Sequence, residues 1–219
     1  MLAGESVELY ADRALLWPRT RTLYVADVHL GKAAAFRAGG VAVPDGATES
    51  DLARLDRLLR ATAAERLVVL GDFLHAASGV TATLDRTFRA WRAAHASTEI
   101  VVVRGNHDAR AGDPPADWHV RIVREPHDAG AFLLCHHPPR DDRATTQDLF
   151  GYTLCGHVHP GVRIEGAARE AARLPCFVLG ERRAILPAFG RFTGLATVAP
   201  APHERIVVIA GDRLFALPR

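Results

Sequence analysis

Short apolar runs recur along this chain, and nearly every one leads into a turn of Gly, Asp, Asn or His. Leu23 to Ala26 runs into Asp27-Val28-His29, Leu67 to Leu70 into Gly71-Asp72, and Ile100 to Val103 into Gly105-Asn106-His107-Asp108. Phe132 to Leu134 runs into Cys135-His136-His137, and Gly156-His157-Val158-His159 follows. Runs of this length have the dimensions of buried strands. A strand that ends in a polar turn delivers its last side chains to one edge of a sheet, where function gathers in α/β proteins. The pattern therefore predicts carboxylate, amide and imidazole groups from distant segments meeting at one edge.

Between these strands the periodicity changes. Val7, Leu9, Ala14, Leu15 and Trp17 around Ala11-Asp12-Arg13 predict a hairpin. A helix is expected from Thr48, with that hydroxyl as cap, Asp51 as the capping-box acid, and an apolar stripe of Leu52, Leu55, Leu58 and Leu59. A second is expected after Thr83, with Leu84, Phe88 and Trp91 on one face. The first half thus alternates strands with helices. Beyond Gly161 only short strands are expected: Phe177 to Leu179, Ala184 to Leu186, Leu195 to Val198, Ile206 to Ala210 and Leu214 to Leu217. The expectation is one α/β domain over residues 1–219, two packed sheets flanked by helices.

Composition removes several classes. No apolar stretch approaches the roughly 20 residues that span a bilayer, and the start has no basic segment followed by an apolar one, so a cytoplasmic protein with no membrane partner is expected. Three cysteines, Cys135, Cys155 and Cys176, are too few for a disulfide framework and have no Cys-x-x-Cys spacing, so they read as buried thiols. A formal charge of +2 is too small to announce nucleic-acid binding by itself.

The ordered motifs carry the chemistry. Two divalent cations roughly 3.5 to 4 Å apart can activate a water and neutralise a phosphoryl group during in-line displacement, and they need a shared anionic ligand. Asp72 is the expected bridge, with Asp27, His29 and His159 completing one shell and Asn106, His136 and His157 the other. This mixed N and O donor set suits manganese, or iron, better than magnesium or closed tetrahedral zinc. His107 is expected to face substrate and protonate the leaving alkoxide, with Asp108 holding its ring. His75 is assigned to a phosphate oxygen or the leaving group. His95, His119, His127 and His203 are the histidines outside this set, and His137 is read as shaping its loop. Lys32, Arg37 and Arg110, read as loop residues, with Arg140 and Arg143, form a candidate basic rim for a phosphate backbone. Phe36, Phe73 and Tyr152 are candidate base-stacking rings or packing residues.

These motifs resemble the calcineurin-like metallophosphoesterase superfamily, whose pattern runs D-x-H, GD, GNH-(D/E), H, GH-x-H, matched from Asp27 to His159. That resemblance implies a four-layer αββα sandwich with two mixed β-sheets. A narrower set, Ala26 to Lys32, Phe36-Arg37 to Pro44-Asp45-Gly46, Gly71 to His75 and Leu134 to Pro139, is similar to the bacterial ligase-associated DNA damage response endonucleases (PdeM family). It implies a manganese-dependent nuclease for single-stranded DNA, acting in repair beside a helicase and a DNA ligase. The alternative expectation is a phosphodiesterase or phosphatase for nucleotides or other small phosphoesters. Protein phosphatases carry Asp-Arg-Gly after the GD motif, where this chain has Phe73-Leu74-His75.

Overall fold

The computed structural model describes residues 1–139, 151–165, 171–199 and 201–218. The hairpin forms as its alternation requires: β1 (Glu8–Tyr10) lies antiparallel to β2 (Ala14–Trp17), with Leu9 opposite Leu15. β2 pairs in turn with β3 (Thr22–Val25). From β3 the sheet continues in parallel through β4 (Arg66–Leu70), β5 (Glu99–Val103) and β6 (Arg121–Val123), giving six strands in the order β1-β2-β3-β4-β5-β6.

Both faces of this sheet are buried, which is why its strands read as continuous apolar runs. Leu23, Val25, Leu67, Val69, Ile100 and Val102 pack on the helices. The alternate positions Tyr24, Ala26, Val68, Leu70, Val101 and Val103 face the second sheet. The crossovers carry α1 (Lys32–Ala38), α2 (Ala47–Thr62), α3 (Ala82–Ala94) and the short α4 (Asn106–Ala111). Leu52, Leu55, Leu58 and Leu59 of α2 are all buried, as are Leu84 and Phe88 of α3.

The second sheet is mixed and built from the rest of the chain. Its strands are β7 (His127–Asp128), β8 (Phe132–Leu134), β9 (Tyr152–Cys155), β10 (Pro160–Glu165), β11 (Ala171–Leu179), β12 (Arg183–Ile185), β13 (Ala196–Thr197), β14 (Arg205–Ala210) and β15 (Arg213–Ala216). The order is β13-β10-β11-β12-β9-β8-β7, with β14 and β15 attached through β11. Phe132, Leu134, Leu154, Phe177 and Leu186 supply its half of the inter-sheet core. On its other face Cys135, Cys155 and Cys176 are free, buried thiols among Val178, Ile206 and Val208. Burial pushes the Cys135 and Cys176 thiols up to about 12, so they stay protonated. The architecture is the expected α/β sandwich of two mixed sheets with helices.

Local expectations change in four places. Helix α2 starts at Ala47 on a left-handed Gly46 with no side-chain cap, so Thr48 does not cap it. Asp51, a full turn inside the helix, is out of reach of the first amides; it turns into the fold and bonds Arg54 and the Arg191 amide. The cap of α3 is Thr81, whose hydroxyl accepts from the Leu84 amide at 3.2 Å. Lys32 and Arg37 lie on α1 and Arg110 on α4, not on loops. Arg140 and Arg143 lie outside the described residues. Phe73 and Tyr152 are buried in the core, which removes both as stacking surfaces, whereas Phe36 is exposed. Among the described residues no helix is long and apolar enough to cross a membrane.

Candidate metal centre

Three parallel neighbours of the first sheet and two of the second end at the same edge. β3 leads to Asp27 and His29, β4 to Gly71 and Asp72, β5 to Gly105 and Asn106; β8 leads to His136, and β9 to His157 and His159. The strand ends are stitched together by backbone: the Asp27 amide donates to the Gly71 carbonyl at 3.1 Å and the His29 amide to the Asp72 carbonyl at 2.8 Å. Asp27, His29, Asp72, His157 and His159 all adopt left-handed backbone, with φ from 49° to 69°. They make up half of the non-glycine residues in that conformation among the described ones. Such strain persists only where surrounding structure enforces it, and it clusters at functional sites.

The motif glycines have a steric cause. A Cβ at Gly71 would fall on the His136 ring, and one at Gly105 would fall on the Asp72 carboxylate and amide. Only glycine lets the backbone pass this close to the candidate ligands.

The donor atoms converge in two groups. In one, His136 Nδ1 lies 3.1 Å from the Leu70 carbonyl, which only an N–H can satisfy, so Nε2 carries a bare lone pair. That Nε2 faces Asn106 Oδ1 at 3.0 Å, His157 Nδ1 at 3.1 Å and Asp72 Oδ1 at 3.5 Å. In the other, His29 Nε2 stands 3.4 Å from His159 Nε2 and 3.8 Å from Asp72 Oδ2, while His159 Nε2 is 3.4 Å from Asp27 Oδ1. Asp72 thus presents one oxygen to each group, and Asp27, which also lies 3.8 Å from His136 Nδ1, sits between them. The Asp27 carboxylate is oriented by the His157 amide at 2.9 and 3.2 Å.

The electrostatics ask for cations. Asp27 and Asp72 are 0% and 2% exposed, and neither has a Lys or Arg ion pair among the described residues. A buried carboxylate left so costs several kcal/mol. Burial lifts the Asp72 carboxyl above its usual range. Burial also holds His29 down to about 2 and His136 down to about 4, so both rings are neutral donors. Neutral imidazoles, buried carboxylates and an amide oxygen, with lone pairs converging, fit two divalent cations.

His107 occupies the first turn of α4. Its amide donates to Asp72 Oδ1 at 2.8 Å, and its Nδ1 lies 2.8 Å from the His75 carbonyl. Asp108 does not hold that ring. Its two oxygens take the amides of Leu74 at 2.8 Å, Gly105 at 3.0 Å and Phe73 at 3.2 Å, so it braces the two ligand loops against each other. His75 stacks on His107 with ring centroids 4.6 Å apart, and its Nδ1 meets His29 Nδ1 at 3.3 Å. Burial holds His75 down to about 4, with His107 and Lys32 adding to it. Burial holds the half-buried Lys32 ammonium below its usual range, an effect that the nearby Asp72 and Asp27 charges partly offset. Arg37 is directed elsewhere: its guanidinium binds the Val43 and Pro44 carbonyls and pairs with Asp45 at 3.0 Å.

Glu125 has no sequence motif around it, yet it fixes the β8 turn. One oxygen accepts the His136 and His137 amides at 2.7 and 2.9 Å, and the other meets His137 Nδ1 at 2.6 Å.

The family model for calcineurin-like phosphoesterases matches residues 20–159, well over half the chain and the span that holds every residue of both donor groups. The chain belongs to the calcineurin-like phosphoesterase family. A nuclease, MPE, from Pseudomonas putida is similar over nearly the whole length: 40% identity, 99% of this chain and 97% of that one, with a TM-score of 0.82. The E. coli phosphoesterase YfcE is more distant, at 15% identity over 90% of this chain and 97% of its own, with a TM-score of 0.45. No curated protein matches by sequence. As a calcineurin-like phosphoesterase the chain is a metal-dependent hydrolase of phosphate esters, and the convergent donors at the strand ends are its candidate metal ligands.

Proposed function

We propose that this phosphoesterase is a manganese-dependent endonuclease that cleaves single-stranded DNA in the cytoplasm during repair, in functional association with a DNA ligase and a helicase. The observation that carries the nuclease reading is the similarity to the P. putida nuclease along 99% of the chain. The repair partners, the compartment and the metal rest on the sequence resemblance and on the donor chemistry.

In this reading Asp27, His29, Asp72 and His159 hold one cation and Asp72, Asn106, His136 and His157 the other. When bound, the pair supplies a nucleophilic water and neutralises charge on the phosphoryl group. The protein residues do the rest. Asp72 is kept in place by the His107 amide, and Asp27 by the His157 amide. The Leu70 carbonyl fixes the His136 tautomer, so its Nε2 is available without a proton to displace. The His75 carbonyl accepts from His107 Nδ1 in the neutral and the cationic ring alike, and this directs a proton on His107 Nε2 toward the leaving oxygen. Lys32 brings positive charge to a phosphate beside the carboxylates.

Closed circular single-stranded DNA incubated with the protein and Mn²⁺ tests the reading. Linearisation is the expected result. Hydrolysis of small phosphodiesters with the circle left intact would replace it by the small-ester reading.

A further inference from the structure

Beside the metal centre an open groove of about 340 Å³ is lined by Lys32, Phe36, Arg191, Phe192, Thr193 and Gly194. Its volume is in the range of ligand clefts. Phe36 of α1 and Phe192 of the turn after β12 are 37% and 38% exposed, among the few large apolar side chains the described residues leave to solvent. They meet edge to face with centroids 5.6 Å apart, and the Phe36 ring lies 5.8 Å from the His75 ring. The pair is therefore one ring, His75, away from the candidate metal ligand His29.

The backbone leading into Phe192 is anchored. The turn bearing Phe192 is tied to the strand end that carries Asp27: the Phe189 amide donates to the Ala26 carbonyl at 2.7 Å and the Gly190 amide to the Asp27 carbonyl at 3.1 Å. The Arg191 amide lies 3.3 Å from each Asp51 oxygen, and Arg13 Nη1 donates to the Ala188 carbonyl at 2.9 Å. Two phenyl rings exposed side by side are not explained by core packing. With Lys32 and Arg191 on the same groove they combine flat apolar faces with positive charge, the two parts of a sequence-tolerant site for an unpaired nucleotide strand.

We propose that Phe36 and Phe192 form an L-shaped stacking platform for an unpaired nucleobase next to the scissile phosphate, the base lying flat on one ring and edge-on to the other, with Lys32 on the scissile phosphate and Arg191 on a flanking one. The platform rests on the nuclease reading and adds a reason for single-strand preference, since a duplex keeps its base faces covered. Stacking of one base is worth roughly ten- to hundredfold in binding.

The experiment compares cleavage of a single-stranded oligonucleotide with that of a strand of equal length made of abasic units, which keeps the phosphates and removes the bases. The wild-type Mn²⁺-loaded enzyme is expected to favour the base-bearing strand by roughly tenfold or more in kcat/KM. Phe36→Ala combined with Phe192→Ala should bring the ratio toward one, and Phe192→Trp should keep it. A double variant with the wild-type ratio, or a wild-type enzyme that cuts both strands equally, overturns the platform and leaves the nuclease reading standing. A wild-type enzyme that hydrolyses small phosphodiesters and neither strand overturns both.

Discussion

Gly105→Ala adds one methyl group at the most crowded point beneath the candidate metal centre. The new Cβ would overlap the Asp72 carboxylate oxygen and amide nitrogen and stand 3.1 Å from Cγ. Carbon atoms rest at about 3.5–4.0 Å, so Asp72 or the loop must move by roughly 1 Å to relieve the clash. Asp72 is buried and its Oδ1 is held by the His107 amide, so no flexible side chain absorbs the shift. Overpacking of this kind costs about 1–3 kcal/mol of stability, which a domain of this size withstands. A misplacement of about 1 Å at the reacting centre costs on the order of a hundredfold in turnover. The assay is hydrolysis of bis(p-nitrophenyl) phosphate across a Mn²⁺ titration, with thermal unfolding of the metal-free protein alongside. The expected variant folds, needs more metal to saturate and loses about two orders of magnitude in kcat. Gly39→Ala, whose Cβ meets only ordinary contact at 3.4 Å outside the site, serves as the control. Wild-type kcat and metal affinity in Gly105→Ala would refute the claim that this glycine exists to admit Asp72.

Asp72→Ala should lose both metals and all activity, whereas His107→Ala should retain metal and lose turnover; equal metal loss in the two, measured by elemental analysis, contradicts that division of roles. Metal-free protein should lose stability as pH falls below about 6.5. His29 and His136 have folded values pushed down by burial, so the unfolded chain binds the extra protons; each group contributes up to about 1.4 kcal/mol per pH unit, present above its unfolded value and lost on acidification. Urea denaturation at pH 7, 6 and 5 checks this, and a flat profile counts against neutral buried rings. Asp51→Ala leaves the buried Arg54 without its 3.1 Å partner and frees the Arg191 amide. A loss of about 3–5 kcal/mol is expected, read from the shift in urea midpoint.

The strand-end motifs were readable because a parallel strand buried on both faces needs an unbroken apolar run, and the residue that leaves it must be polar or Gly. Asp27, Asp72, Asn106, His136, His157 and His159 could be assigned to one sheet edge on that ground alone. The groups that orient them could not. Leu70 acts on His136, and His75 on His107, through backbone carbonyls, which carry no side-chain signature, and Glu125 reaches His136 across the open end of the β7–β8 hairpin. Asp108 differs for a related reason: adjacency to His107 in sequence suggests a ring partner, but on a helical first turn its carboxylate points back to the Gly105 amide of its own loop and to two amides of the loop after β4. Helix α1 has no legible sequence signal because its stretch of Ala with a single Phe lacks an apolar stripe. Phe192 lies in a turn with no motif and gains meaning only from Phe36 and Lys32 arriving from the other end of the chain.

Crystals grown with Mn²⁺ and measured by anomalous scattering address the central claim most directly. The expected map shows two peaks about 3.5–4 Å apart with one Asp72 oxygen toward each. A single peak, or two peaks that do not share Asp72, would contradict it.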